Sequence, residues 1–123
     1  ETSLAWTNCI LVDEAQFLSQ SQVDELFHIT KLYNIPVIAF GLRTDFKSNG
    51  FEGSIRLLEL ADALEEMPTI CRCGKKARFS ARKVNGQFTN VGNSVVVDGT
   101  QNVEYESLCG FCYISKVLKL NKK

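Results

Sequence analysis

Two close pairs of cysteines constrain the fold of this chain more than any other feature. Cys71 and Cys73 form the first pair, Cys109 and Cys112 form the second, and 35 residues separate the two pairs. Two thiolate pairs brought together give a closed tetrahedral site with four sulfur ligands, the usual structural arrangement for zinc. Because four ligands leave no open position, we expect Zn²⁺ here to hold structure and to do no chemistry. A redox dithiol and unrelated buried thiols are the alternatives.

The remaining composition narrows the class of protein. An odd number of cysteines, five, in a chain without a secretory leader favours a reducing compartment, and we expect a cytoplasmic protein. No run of about 18 apolar residues occurs, so no membrane span is predicted. Basic and acidic residues both number 14, so the total charge gives no sign of nucleic-acid binding. Cys9, alone on an apolar strand, is expected to be a small buried hydrophobic residue.

A short apolar run that ends in two acids is the second informative feature. Ile10, Leu11 and Val12 predict a strand that is buried on both faces of a parallel sheet. Asp13 and Glu14 follow at its carboxyl end, where open α/β sheets bind their ligands. The pattern is that of a Walker B strand, in which one acid helps hold Mg²⁺ on a nucleotide and the next can orient or deprotonate a nucleophile. The alternative is a strand end with two solvated acids.

The residues that follow predict a βαβ unit. A capping box at residues 21–24 introduces a helix that ends near Asn34, and the apolar run at residues 37–42 predicts a second buried strand. His28 lies on the helix and is expected to be a surface or packing residue. A second amphipathic helix is predicted over residues 54–66.

The second half of the chain has a different character. Residues 77–84, followed by Asn85-Gly86, predict a β-hairpin, and Val95-Val96-Val97 predicts a further strand. Zinc would pin both ends of this long, weakly apolar segment, which is typical of a lid or a binding loop. The preceding loop carries Phe46 and Phe51, which could either plug a core or sandwich a planar base.

Four segments, taken together, resemble one known family. They are Val12-Asp13-Glu14-Ala15-Gln16-Phe17, Phe40-Gly41-Leu42-Arg43-Thr44-Asp45-Phe46, Thr69-Ile70-Cys71-Arg72-Cys73-Gly74-Lys75-Lys76-Ala77 and Cys109-Gly110-Phe111-Cys112-Tyr113. Their order and spacing are similar to those of thymidine kinases of the cellular and bacterial type II family. The resemblance implies an α/β fold: part of a RecA-like P-loop NTPase domain with a parallel sheet at residues 1–66, followed by a small zinc-ribbon-like lasso domain at residues 67–123.

The resemblance also implies an activity and a site. The activity is ATP-dependent phosphorylation of the 5′-hydroxyl of thymidine, in nucleotide salvage. Glu14 would be the general base, Asp13 and Gln16 would serve the Mg²⁺ and ATP cofactors, and the four paired cysteines would hold structural zinc. The implied substrate-binding residues are Phe17, Leu42, Phe46, Phe51, Ser80, Arg82, Val95, Val96, Val97 and Tyr105.

The resemblance further implies a homotetramer and feedback inhibition by dTTP, with no membrane or nucleic-acid partner. The phosphate loop of the family, G-x-x-x-x-G-K-[ST], does not occur in these 123 residues. We expect that loop to lie upstream of Glu1, and we expect the 123 residues alone to be inactive. Two alternatives are a zinc-ribbon module that binds nucleic acid or a protein through its clustered basic residues, and a helicase-like NTPase suggested only by Asp-Glu-Ala-Gln.

Overall fold

A computed structural model describes residues 6–92 and 102–121. These residues form a mixed α/β structure with one parallel and one antiparallel sheet. The chain divides into two compact units. The first unit comprises Glu1–Arg43 and Gly50–Leu64, and the second unit comprises Thr44–Asn49 and Glu65–Lys123. Within the described residues, no helix is long and apolar enough to cross a membrane.

The first unit contains the predicted βαβ arrangement. Strand β1 (Ile10–Val12) is followed by helix α1 (Gln20–Tyr33) and strand β2 (Val37–Ala39). The two strands pair in parallel, with Ile10 opposite Val37, which confirms the parallel pairing. The carboxyl ends of both strands therefore meet at one edge of the sheet, directly before the acids at 13 and 14.

The predicted burial of this sheet is wrong. Leu11 is 68% exposed and Ile38 is 48% exposed, so one face of the two-stranded sheet is open among the described residues. Cys9, predicted to be buried, is also exposed because it precedes β1 and no described element covers it. An apolar pattern shows that a face can be buried, but it does not supply the partner that buries it.

The N-cap of helix α1 lies two residues before the predicted one. Ser19 is the N-cap: its Oγ accepts the Gln22 N–H at 3.2 Å, and the Gln22 side chain accepts the Ser19 N–H at 2.9 Å. The reciprocal bonds satisfy two donors that the helix leaves unpaired, which residues 21–24 do not do. The helix ends at Asn34, as predicted, and the backbone of Asn34 is left-handed (φ 56°). His28 is exposed, which confirms its prediction as a surface residue.

Helix α2 (Glu52–Leu60) is shorter than predicted and begins two residues earlier. It ends at Ala61, whose backbone is extended. The Arg56 Nε donates to Asp24 Oδ1 at 2.7 Å and thereby ties α2 to α1. Glu52 accepts the Gln20 N–H at 2.8 Å, so α2 also supplies an acceptor for the start of α1.

The second unit is built on an antiparallel sheet of three strands in the order β4-β3-β5. The strands are β3 (Phe79–Val84), β4 (Gln87–Thr89) and β5 (Val103–Leu108). Asn85 and Gly86 join β3 to β4 with φ values of 52° and 84°. Two consecutive positive φ angles are the signature of a type I′ hairpin turn, and the predicted hairpin is confirmed.

After β5 the chain forms a short helix α3 (Gly110–Cys112) and one π-helical turn at Tyr113–Val117. The core of the unit gathers around the cysteines, and its buried members are Cys71, Ala77, Ala81, Leu108, Cys109, Cys112, Tyr113 and Val117. The predicted strand at Val95, Val96 and Val97 lies outside the described residues.

Candidate active site and metal centre

The acid turn, defined here as residues 13–17, follows β1 directly. Asp13 and Glu14 are both exposed, and Glu14 has a left-handed backbone with φ 52° and ψ 42°. This conformation costs a residue with a side chain about 1 kcal/mol or more, and it persists only where the surroundings hold it. The Glu14 N–H donates to Asp13 Oδ1 at 2.8 Å, so the two acids are already linked.

Hydrogen bonds from the end of β2 hold this turn. The Ala15 N–H donates to the Phe40 carbonyl at 2.8 Å. Gln16, only 2% exposed, donates through Nε2 to Glu14 Oε1 at 2.9 Å and accepts the Leu42 N–H through Oε1 at 3.1 Å. A buried side-chain amide therefore links the Glu14 carboxylate to the backbone of the segment that follows β2.

Two glycines give the acid turn room to pack. A Cβ on Gly41 would lie 2.6 Å from Gln16 Oε1, and a Cβ on Gly53 would lie 2.6 Å from the Ala15 carbonyl oxygen. Real Cβ atoms do not approach so closely, and at Gly53 the opposing atom belongs to rigid backbone. Sequence reasoning missed both positions. The available signal was a glycine directly after an apolar strand, which often marks a close approach of backbone.

Three of the predicted base-binding residues lie in the first unit. Phe17 and Phe51 meet edge to face, with ring centroids 5.6 Å apart, at the start of α2. Leu42 is half exposed, and its carbonyl accepts a hydrogen bond from the Ser54 hydroxyl. The acid turn and these apolar side chains are thus carried by the same unit.

Three other predicted site residues meet in the second unit. Phe46 and Arg82 are each 2% exposed, and the Arg82 guanidinium carbon lies 3.7 Å from the centre of the Phe46 ring. Arg82 Nε also donates to the Tyr105 hydroxyl at 3.0 Å, and Tyr105 itself is exposed. Tyr113 donates its hydroxyl proton to the Phe46 carbonyl. Ser80 is half-buried on β3.

The four paired cysteines form a cluster. Their sulfur atoms all lie within 4.8 Å of one another, and the Sγ atoms of Cys73 and Cys109 are 3.6 Å apart. Sulfurs around a tetrahedral zinc, each about 2.3 Å from the metal, are separated by roughly 3.8 Å. Gly74, with φ 94°, makes the turn that folds the first pair. The donor set and its spacing therefore fit a metal ion.

The pKa values of three thiols of the cluster are shifted, two downwards and one upwards. The backbone N–H of Cys73 lowers the pKa of Cys71 to about 6. The backbone N–H of Cys112 lowers the pKa of Cys109, whereas burial and the neighbouring sulfurs raise the pKa of Cys112 to about 12. Thiolates are the form that binds metal, so a cation at the centre would favour the ionised form of all four groups.

Four of the basic residues around the cluster are paired with acids. Two acids serve this purpose, and the ion pairs are Arg72 and Lys83 with Glu106, and Lys76 and Arg78 with Glu66. The two-pronged contact with Arg72 helps lower the pKa of Glu106 to about 2. A nucleic-acid surface needs basic groups that can neutralise phosphates, so this pairing weighs against the zinc-ribbon alternative.

Comparison with known proteins places the chain in a family. The family model described as thymidine kinase matches residues 1–113. A thymidine kinase of Mannheimia succiniciproducens is 47% identical over 115 residues, which are 93% of this chain and 58% of the relative. Those of Colwellia psychrerythraea and Rhodopirellula baltica are 50% and 46% identical over 83% and 89% of this chain, and 53% and 51% of the relatives. This chain, which spans little more than half the length of these relatives, belongs to the thymidine kinase family.

Proposed function

We propose that the chain is the carboxyl-terminal part of an ATP-dependent thymidine kinase with a RecA-like P-loop fold. The observation that carries the proposal is the acid turn. It presents two exposed carboxylates at the carboxyl end of a parallel strand, on a left-handed backbone held from the next strand. Strained backbone held in this way is characteristic of functional sites.

Glu14 is the proposed general base for the transfer of a phosphoryl group from ATP to thymidine. Its carboxylate would accept the proton of the 5′-hydroxyl as the oxygen attacks the phosphorus in line. Asp13, exposed beside it, would be a ligand of Mg²⁺ on the nucleotide. The ion, when bound, offsets charge on the phosphate oxygens. Phosphate contacts from the glycine-rich loop of the family would come from outside these 123 residues.

The proposed base-binding residues combine flat and apolar surfaces with few polar groups. Phe17, Leu42 and Phe51 from the first unit would pack against a pyrimidine ring. On the second unit, Phe46, Ser80, Arg82 and Tyr105 keep the substrate-binding role that the family resemblance implies. Val95, Val96 and Val97 keep their proposed role of binding the base through backbone groups.

Zinc is the proposed metal of the cysteine cluster, since four thiolates in tetrahedral spacing are its usual structural ligands. It would fix the two ends of the lasso and would leave chemistry to the acid turn. A homotetramer, inhibition by dTTP and a cytoplasmic location complete the proposal, each by analogy with the family.

Replacing Glu14 with glutamine tests the activity. In the full-length enzyme, Glu14→Gln keeps the size of the side chain and removes the base, so kcat should fall by roughly 10²–10⁴-fold. Thymidine binding, measured by calorimetry, should change little. Glu25→Gln, an exposed carboxylate on α1, is the matched control and should retain wild-type turnover. Unchanged kcat in Glu14→Gln would refute the assignment of the base.

A further inference from the structure

Gln16, two residues after Glu14, has a buried polar side chain, and both the oxygen and the nitrogen of its amide are hydrogen-bonded. We propose that Gln16 is a positioning residue that orients the Glu14 carboxylate for proton transfer. The inference rests on the proposed function of Glu14 as the base. It assigns Gln16 a role different from the cofactor contact implied by family resemblance.

The orientation of the Gln16 amide follows from its partners. The Leu42 N–H can only donate a hydrogen bond, so the amide oxygen must face it, at 3.1 Å. The amide nitrogen then faces Glu14 Oε1, at 2.9 Å, and donates to it. The opposite orientation would place two donors against each other at Leu42 and two acceptors at Glu14. The backbone N–H of Leu42, in the segment that follows β2, thus selects which end of Gln16 meets the carboxylate.

This contact gives the two carboxylate oxygens of Glu14 different roles. Oε1 of Glu14 accepts from Gln16, which leaves Oε2 to take the proton of a substrate hydroxyl. A single hydrogen bond from a fixed donor also restricts rotation of the carboxylate about its last bond. Efficient proton transfer needs a lone pair aimed at the hydroxyl, and a small displacement of a catalytic group can cost about 10²-fold in rate.

The donor is itself fixed by packing. Gly41 follows Phe40 directly, and a Cβ there would meet both Oε1 and the backbone nitrogen of Gln16, at 2.6 and 3.0 Å. Gln16 is therefore pressed against the end of β2 by main-chain atoms. To contact a nucleotide or its metal, Gln16 would have to give up both hydrogen bonds and leave a buried position, which carries a cost for each unpaired group.

The test is a pair of near-isosteric variants in the full-length enzyme. Gln16→Met keeps the volume and removes both hydrogen bonds. Gln16→Glu keeps the volume and an oxygen that can accept the Leu42 N–H, but puts a second carboxyl group beside Glu14, where the two compete for one proton. We expect kcat to fall roughly 10- to 100-fold in Gln16→Met, with the KM values for thymidine and ATP changed less than about twofold. Gln16→Glu should lose at least as much, although it retains the Leu42 contact. Gln20→Met, an exposed glutamine on α1, is the control with unchanged kinetics.

A double variant distinguishes the positioning role of Gln16 from the role of Glu14 as the base. If Gln16 acts through Glu14, Gln16→Met should lower kcat no further in the Glu14→Gln background, because the base that it orients is gone. Additive losses, or a raised KM for ATP, would overturn the positioning role and favour a direct cofactor contact. Wild-type kcat in Gln16→Met, together with a strong loss in Glu14→Gln, would refute the inference alone. Thermal unfolding of each variant, compared with wild type, identifies a loss of kcat that comes from misfolding, and recovery of kcat by Gln16→Glu would indicate a purely structural role.

Discussion

In the first unit, neutral groups of the chain hold the exposed Glu14 carboxylate: the buried Gln16 amide donates to it, and the Leu42 N–H donates to the oxygen of that amide. Gly41 and Gly53 leave the space in which the turn packs. In the second unit, the four sulfurs of the paired cysteines lie within 4.8 Å of one another. Each site gathers groups that carry or can carry negative charge. In the first site a side-chain donor of the chain faces the carboxylate. In the second, backbone N–H groups favour the thiolates of Cys71 and Cys109, but burial and the neighbouring sulfurs raise the pKa of Cys112 to about 12, so ionisation of all four sulfurs needs a cation.

The contrast has a consequence for stability. The two carboxylates of the acid turn are exposed, and its buried Gln16 amide is hydrogen-bonded at both ends, so the geometry of the turn costs little desolvation and needs no external ion. The cysteine cluster is mostly buried, and its ionised sulfurs need a cation close by. Loss of the metal should therefore act on the second unit, whereas loss of close packing should act on the first.

Metal removal should have the largest effect. Binding of structural zinc contributes about 10 kcal/mol or more in small metal-dependent domains, which is comparable with the whole stability of a domain. We expect one zinc per chain, and we expect a strong chelator or Cys112→Ser to abolish amide-exchange protection in β3, β4 and β5. Protection in β1, α1 and β2 should persist. Hydrogen exchange read strand by strand, with metal content measured in parallel, tests the comparison.

Cys9→Ser is the control for this experiment, since Cys9 is exposed and lies outside the cluster. It should retain both the metal and the protection pattern. Equal loss of protection in the two units after chelation would show that the acid turn also depends on the metal.

Gly53→Ala should have the next largest effect, and it should act on the first unit. The added Cβ would lie 2.6 Å from the Ala15 carbonyl oxygen and 2.7 Å from that of Leu18, so α2 or the acid turn must move. We expect a loss of about 1–3 kcal/mol in the free energy of unfolding, measured by urea denaturation. Gly110→Ala is the matched control, because its Cβ would make an ordinary 3.7 Å contact with Phe79 at the start of a helix. A Gly53→Ala protein as stable as the control would disprove the close packing.

Local patterns were sufficient to predict much of this structure. The parallel pairing of β1 with β2 follows from two short apolar runs separated by a helix, and the β3–β4 hairpin follows from Asn85-Gly86. The approach of the two cysteine pairs follows from the ligand chemistry of thiolates. In each case the information lies within a few adjacent residues or in one shared chemical requirement.

Features that depend on a distant partner could not be predicted in the same way. The apolar neighbours of Leu11 predict a buried side chain, but Leu11 is exposed because burial depends on what covers the sheet face. Gln16 reads as one more polar residue in a turn, because its acceptor bond is to Leu42, 26 residues away. The N-cap of α1 was displaced by two residues because Ser19 and Ser21 both suit the position, and only the Gln22 contact selects Ser19.

The smallest expected effect concerns the ion pair between Arg72 and Glu106, which links the segments of the two cysteine pairs independently of a metal. Arg72, between the first two cysteines, makes two bonds of 2.6 Å to Glu106 on β5, just before the second pair. Arg72, with a smaller contribution from Lys83, lowers the pKa of Glu106 from 4.5 to about 2. A lowered carboxyl pKa stabilises the fold at pH values above the unfolded pKa, and this contribution disappears as pH falls from about 4.5 towards 2.

A double-mutant cycle with Arg72→Gln and Glu106→Gln measures this contribution at pH 7 in the zinc-loaded protein. We expect a coupling of about 1 kcal/mol, since both side chains are partly exposed and solvent screens the pair. The same cycle on Lys31 and Asp62 in the first unit, a more exposed pair in which one ammonium contacts both carboxylate oxygens, should give about 0.5 kcal/mol or less. The Arg72 variant should also release zinc faster, because the protein then has one link fewer between the ligand pairs. Equal couplings and unchanged zinc release would mean that the metal alone joins them.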